Sequence, residues 1–134
     1  MAILEAKKPG KDLWTALEQA LYDLDTARAM FDSGRYLHVL FCCQQAVEKM
    51  LKAIIAERTK GLPPRIHQLM RLAEVAGLEV SGERAEFLRE LSAYYIQTRY
   101  PEEIKDLASQ AKKEEARRVL DHTEEVLEWL NSML

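Results

Sequence analysis

The sequence contains little cysteine, proline or glycine, and it has no long apolar run. Its only cysteines, Cys42 and Cys43, are adjacent. Neighbouring helical residues point in different directions, so these two cannot staple a fold. They are typical of small core residues in a reducing compartment, which predicts a cytoplasmic protein. Residues 1–10 hold two lysines with no apolar run behind them, so no signal peptide is predicted, and no window approaches a membrane span.

The sequence also lacks an excess of positive charge. Its 134 residues carry 19 Lys and Arg against 22 Asp and Glu, a formal net charge of −3. Such a chain has no basic field for gripping nucleic acid, so any contact must come from a local cluster. The length, with 48% apolar and 31% charged residues, indicates one globular domain over residues 1–134. Residues 1–10 are expected to be a flexible N-terminal segment.

Helical periodicity is present along most of the chain, with no alternating strand pattern and no repeat. We therefore predict an all-α fold, an up-and-down bundle of four long helices with one short inserted helix. The short helix lies between the second and third long ones. The predicted helices cover residues 11–31, 36–58, 66–76, a run between Gly82 and Pro101, and 102–134, the last being the longest.

The second predicted helix carries a narrow polar ribbon, which consists of Gln45, Glu48, Lys49 and Lys52. Apolar stripes cover the rest of its circumference, which indicates a helix buried among other helices. Glu48 and Lys52 are four residues apart, as are Gln45 and Lys49, so these side chains are neighbours on one face. The ribbon is either a solvated seam that closes the bundle or the floor of a polar groove. Periodicity does not choose between the two.

Residues 94–101 concentrate three tyrosines and an arginine at one predicted helix end. Arg99 could hold a phosphate with its planar guanidinium, and Tyr95 or Tyr100 could stack on a base. Alternatively, the tyrosine rings cap the bundle core and Arg99 pairs with a glutamate at the start of the next helix. Both interpretations remain open.

The three histidines, His38, His67 and His122, have no further histidine or cysteine at metal-ligand spacing. We therefore predict no metal site and no cofactor. Glycine-rich phosphate loops and nucleophile elbows are also absent, so the residues alone give no enzyme class. Only His122 has notable neighbours, because Arg117 and Arg118 precede it on the same predicted helix.

Three motifs together resemble a known family. They read Tyr36…Phe41-x-x-Gln44-Gln45-Ala46-Val47-Glu48-Lys49-x-Leu51-Lys52-Ala53, His67-x-Leu69 and Arg99-Tyr100-Pro101. This pattern resembles the HEPN domain (higher eukaryotes and prokaryotes nucleotide-binding), in its small stand-alone prokaryotic type. The resemblance covers roughly residues 13–130, nearly the whole chain.

The resemblance implies a helical bundle that dimerises and places polar sites in a cleft between protomers. It also implies pairing with a minimal nucleotidyltransferase, in many cases as toxin and antitoxin. We therefore expect a HEPN-type protein associated with nucleotide or RNA, acting as a homodimer and as the toxin-like partner of such an enzyme. The expected nucleotide-binding residues are Arg99, Tyr100 and Tyr95, with Lys49 as a second cation.

Two alternatives follow from the same resemblance. Active branches of the family are metal-independent ribonucleases with an Arg-x(4–6)-His motif, whose arginine holds the scissile phosphate and whose histidine moves protons at the ribose 2′-hydroxyl. Arg99 resembles that arginine in position, but no histidine follows it at this spacing, whereas Arg117-x4-His122 satisfies the spacing inside the last helix. The first alternative is thus a ribonuclease with Arg117 and His122 as catalytic residues. The second is a non-catalytic interaction module whose polar ribbon docks a partner.

Overall fold

Six α-helices make up the part of the chain that the computed structural model describes, residues 11–134, and this part contains no strand. Side chains are described from residue 15 onward. The predicted all-α bundle is confirmed, while the predicted flexible segment 1–10 lies outside the described residues. The helices are α1 (Lys11–Asp32), α2 (Tyr36–Thr59), α3 (Leu69–Val75), α4 (Gly82–Ser92), α5 (Pro101–Gln110) and α6 (Lys113–Ser132).

Helices α1 and α2 form an antiparallel hairpin joined by a tight turn. Gly34 adopts φ +75°, a left-handed conformation that a side chain would strain. Two backbone hydrogen bonds close the turn, from Gly34 N to Phe31 O at 3.1 Å and from Arg35 N to Met30 O at 2.8 Å. The short connection makes the two helices antiparallel neighbours, as the sequence predicts.

Helix α2 lies at the centre of the bundle and contacts every other described helix. Residues from both of its apolar stripes are buried, including Leu40, Leu51 and Ile54. Each such side chain stabilises the fold by about 1.5–3 kcal/mol relative to an exposed one. Cys43 is also fully buried, and burial raises the pKa of its thiol to about 12. The thiol is therefore a core group and not a nucleophile.

The prediction of one long last helix over residues 102–134 is wrong. The chain leaves helical geometry at Ala111, with φ −78° and ψ 86°, and two helices, α5 and α6, replace the one predicted. Neither glycine nor proline marks this break. Helix α5 buries none of its residues and contacts only α2 among the described helices, whereas α6 packs on α1, α2 and α4. Packing of α6 on those neighbours therefore sets its direction, and α2 is the longest helix.

Helix α4 ends earlier than the sequence predicts, and α3 begins later. Tyr94 and Tyr95 lie in the connector 93–100, after the end of α4 at Ser92. The Ser92 hydroxyl donates to Leu88 O at 2.9 Å and accepts from the backbone N–H of Leu69 at 2.9 Å. This serine thus joins the end of α4 to the start of α3. None of the helices in the described residues has the length and apolar character required to cross a membrane.

Candidate functional site

A buried carboxylate lies at the centre of the polar ribbon. Glu48 is only 6% exposed, and its Oε1 accepts a hydrogen bond from Gln44 Nε2 at 2.8 Å. Its Oε2 accepts one from Lys52 Nζ at 3.2 Å. Gln44 is fully buried and in turn accepts from Gln45 Nε2 at 2.8 Å. A buried charge persists only with such partners, so this part of the ribbon is a buried network and not a solvated seam.

His67 binds the same carboxylate from the connector 60–68, between α2 and α3. Its Nδ1 lies 3.0 Å from Glu48 Oε1 and 3.1 Å from Oε2. An ionised carboxylate can only accept, so this network assigns a proton to Nδ1. Among the side chains that the structure describes, and the backbone of residues 11–134, no hydrogen-bond partner of Nε2 is found.

Tyr95 fixes the plane of the His67 ring. The two rings are stacked, with centroids 3.9 Å apart and planes 13° from parallel. Phe41 of α2 makes a tilted contact with Tyr95 at 6.2 Å, and the tyrosine hydroxyl donates to Gln97 Oε1 at 2.9 Å. Partial burial and the negative charge of Glu48 raise the pKa of Tyr95, so its hydroxyl stays protonated at neutral pH.

An open cavity of about 460 Å³ lies beside this stack. Its volume is in the range of small-molecule sites. Four parts of the chain contribute to it: the end of the connector 60–68, the end of α4, the connector 93–100 and the first turn of α5. The lining residues are His67, Gln68, Arg89, Ser92, Ala93, Tyr95, Thr98, Arg99 and Glu103.

Two guanidinium groups line the cavity, and neither is fully satisfied. Arg99 Nη2 donates to Ala93 O at 2.6 Å and Nη1 pairs with Glu103 Oε2 at 3.1 Å. Its Nε is buried and has no hydrogen-bond partner in the described structure. Arg89 is exposed and has no acidic partner among the described side chains. A buried donor without a partner is costly, and a phosphate oxygen is the acceptor that a guanidinium matches best.

A family model of the HEPN domain matches residues 13–133. The chain belongs to the HEPN domain family. A solved structure with a similar fold is the crystal structure of TT1696 from Thermus thermophilus, with 28% sequence identity and a TM-score of 0.76 over 93% of this chain and 100% of that one. No curated protein gives a significant match. The two matches support a nucleotide- or RNA-associated HEPN protein.

Two of the four predicted binding residues line this cavity. Arg99 and Tyr95 both line it, while Tyr100 and Lys49 do not. Tyr100 is 75% exposed, just before α5. Lys49 pairs instead with Asp23 of α1, with Nζ 2.7 Å from Oδ2. The Lys49 ammonium therefore forms an ion pair that joins α1 and α2.

The structure does not bring the predicted catalytic pair into one site. The Arg117 guanidinium lies 4.4 Å from the centroid of the Phe31 ring in α1. The His122 ring stacks on Phe87 of α4, with centroids 3.9 Å apart. Residues five positions apart on a helix point about 140° away from each other, which explains the different neighbours. Neither residue lines the cavity.

Three residues at this candidate site are absent from the site residues predicted from the sequence: Glu48 at its buried centre, His67 and Arg89. Glu48 and His67 are nineteen positions apart, and no local spacing rule connects a helix with the loop that follows it. The available signal was the His67-x-Leu69 motif in a connector, where polar residues are disproportionately functional. Across the described residues, no group of three or more His, Cys, Asp or Glu side chains is placed to hold a metal ion.

Replacing Glu48 with Gln should lower the free energy of unfolding by about 1–3 kcal/mol, because Lys52 and His67 lose their charged acceptor. The matched control is Glu57→Gln, which removes an exposed pair with Lys60 at 3.2 Å and should cost less than about 1 kcal/mol. Urea denaturation of both variants measures the difference. Equal losses would contradict a structural role for the buried network.

Proposed function

We propose that this HEPN chain binds the phosphate group of a nucleotide or of an RNA strand in the cavity beside Arg99. The observation that carries the proposal is the buried Nε of Arg99, which has no hydrogen-bond partner among the described residues. Arg89 adds a second positive charge at the same cavity. The chain has a net charge of −3, so its overall field does not attract a phosphate. A local pair of positive side chains supplies that attraction instead.

The ion pair between Arg99 and Glu103 does not prevent phosphate binding. Both side chains are partly exposed, at 28% and 46%, and pairs of this kind contribute only about 0–1 kcal/mol. A charge-assisted hydrogen bond to phosphate is worth more, about 1.5–3 kcal/mol. A phosphate can therefore replace the Glu103 carboxylate at Arg99.

Other groups around the cavity suit the rest of a nucleotide. The Thr98 hydroxyl and the Gln68 amide are exposed hydrogen-bonding groups that suit ribose hydroxyls. Tyr100 does not line the cavity, but it follows Arg99 directly and is largely exposed, so its ring is available for stacking on a base that extends out of the cavity. The proposed ligand thus has guanidinium groups for its phosphate, a hydroxyl and an amide for its ribose, and a tyrosine ring for its base.

Arg99→Ala and Arg89→Ala should each weaken binding at least about tenfold, because each removes a charged donor to phosphate. The matched control is Arg84→Ala in the same helix as Arg89, since Arg84 lies over the Trp129 ring, 4.2 Å from its centroid, and does not line the cavity. Calorimetry in chelator, with AMP, ATP and a mixed-sequence single-stranded RNA, distinguishes the two sources of phosphate. Equal weakening by Arg84→Ala, or no binding of any of the three ligands, would contradict the proposal.

We further propose that the chain acts as a homodimer and as the toxin-like partner of a minimal nucleotidyltransferase, as the family resemblance implies. Helix α5 supports an additional protein contact. It contacts only α2 among the described helices, and its apolar residues Ile104 and Leu107 are only partly covered. A helix with an incompletely covered apolar face is a common element of protein interfaces.

Light scattering should give the mass of two chains for the native protein, and a co-expressed minimal nucleotidyltransferase from the same genome should copurify with it. Ile104→Asp should weaken at least one of these associations, because it places a charge on the apolar face of α5. Lys105→Asp, an exposed neighbour in the same helix, is the control for added negative charge. A monomer that retains no nucleotidyltransferase would contradict this second proposal.

A further inference from the structure

We infer that helix α5 is a lid on the Arg99 side of the cavity, and that this lid is closed in the arrangement described above. Glu103, in the first turn of α5, holds the lid closed through its ion pair with Arg99. A phosphate ligand binds when this pair opens and the start of α5 moves away. The lid regulates the cavity that is proposed to bind phosphate, so the inference rests on the proposed function.

The buried Nε of Arg99 requires a movement before a ligand can reach it. This nitrogen is shielded from solvent and has no hydrogen-bond partner among the described residues. A phosphate oxygen has to approach such a donor to about 2.7–2.9 Å, so a group that covers it must first leave. The same guanidinium contacts two parts of the chain, since Nη2 donates to Ala93 O in the connector 93–100 and Nη1 donates to Glu103 in α5.

The connector 93–100 is the part that stays in place. The Tyr95 ring stacks on His67, which is itself bound to the buried Glu48 carboxylate. The Tyr94 hydroxyl donates to Glu90 Oε2 at 2.7 Å and so joins the connector to α4. These contacts hold the connector on the bundle from both sides of the cavity wall, so the contact with Ala93 is not the one that opens.

Helix α5 is the part that can move. It buries none of its residues and contacts only α2 among the described helices. A second cavity, of about 190 Å³, is lined by Leu107 of α5 and Leu40 of α2, among other residues, so the packing between these two helices is incomplete. Segments with few buried contacts are those that open at the lowest free-energy cost.

The two ends of α5 differ, and the difference places the hinge at its C-terminal end. Ala111, where the chain leaves helical geometry, is buried, so it keeps its position when the helix turns. At the other end Pro101 and Glu102 are exposed, and Glu103 provides the pair with Arg99 at 3.1 Å. Hinges are commonly a few residues at the end of an element that absorb a change in φ and ψ. Opening the pair therefore moves the first turn of α5 and uncovers Arg99.

Calorimetry in chelator, with AMP and a mixed-sequence single-stranded RNA, tests the lid with two variants. Glu103→Gln removes the charge that pairs with Arg99, and Leu107→Ala removes packing of α5 at the second cavity, outside the cavity proposed to bind phosphate. Both variants should bind at least about fivefold more tightly than the native protein, because a more populated open form lowers the apparent Kd. Glu102→Gln, an exposed neighbour that does not line the cavity, should change Kd by less than about twofold.

Methyl NMR with a soluble gadolinium chelate measures the movement itself. Saturation with the more tightly bound of the two ligands should increase the paramagnetic relaxation of the Ile104 and Leu107 methyl groups, which are half-buried in α5. The methyl groups of Ile54, which is fully buried in α2, should not change. Glu103→Gln should show the same increase at Ile104 and Leu107 without any ligand.

The outcomes separate the lid from the proposed function. Ligand binding with unchanged relaxation at Ile104 and Leu107, or with native affinity in Leu107→Ala, would overturn the lid and leave the proposed function intact. Tighter binding in Glu103→Gln alone would also overturn it, because loss of a repulsive charge then accounts for the gain. Absence of binding of both ligands by the native protein and by both variants would overturn the lid and the proposed function together.

Discussion

The buried charge of Glu48 is the constraint on which the site depends. Helix α2 lies at the centre of the bundle, and an uncompensated carboxylate there would cost more free energy than a small domain has available. Gln44 and Lys52 compensate it from the same helix, and His67 does so from the following connector. The carboxylate therefore fixes a loop residue against the most rigid part of the fold.

The position of His67 in turn determines where the connector 93–100 and Arg99 lie. Tyr95 stacks on His67, which positions the connector 93–100 beside the connector 60–68. The Ser92 hydroxyl accepts from the Leu69 backbone and holds the same two segments together at their helical ends. Arg99 then lies at the edge of a cavity whose walls are loops supported by packed helices. Sites of this kind combine a rigid support with exposed functional groups.

The sequence predicts the fold better than it predicts the site, for physical reasons. Helical periodicity and the burial of residues such as Leu51 are local patterns, so the bundle and the central position of α2 could be foreseen. The break at Ala111 could not be foreseen, because no local signal such as glycine or proline marks it. Tertiary packing of α6 sets the direction of the chain there. Arg99 and Tyr95, which line the cavity, are predicted as binding residues from residue type alone. The contact between Glu48 and His67 depends on the path of a connector, and the Arg117-x4-His122 spacing ignores the direction of side chains around a helix.

The central claim is that Glu48 holds the Nδ1–H of His67 beside the cavity that is proposed to bind phosphate. Nitrogen-15 NMR of the histidine and arginine side chains, with and without AMP, tests it most directly. The account predicts a proton on Nδ1 of His67, and AMP-dependent shifts at His67 and Arg99 but not at His122 or Arg117. A proton on Nε2 in place of Nδ1, or shifts centred on His122, would contradict it.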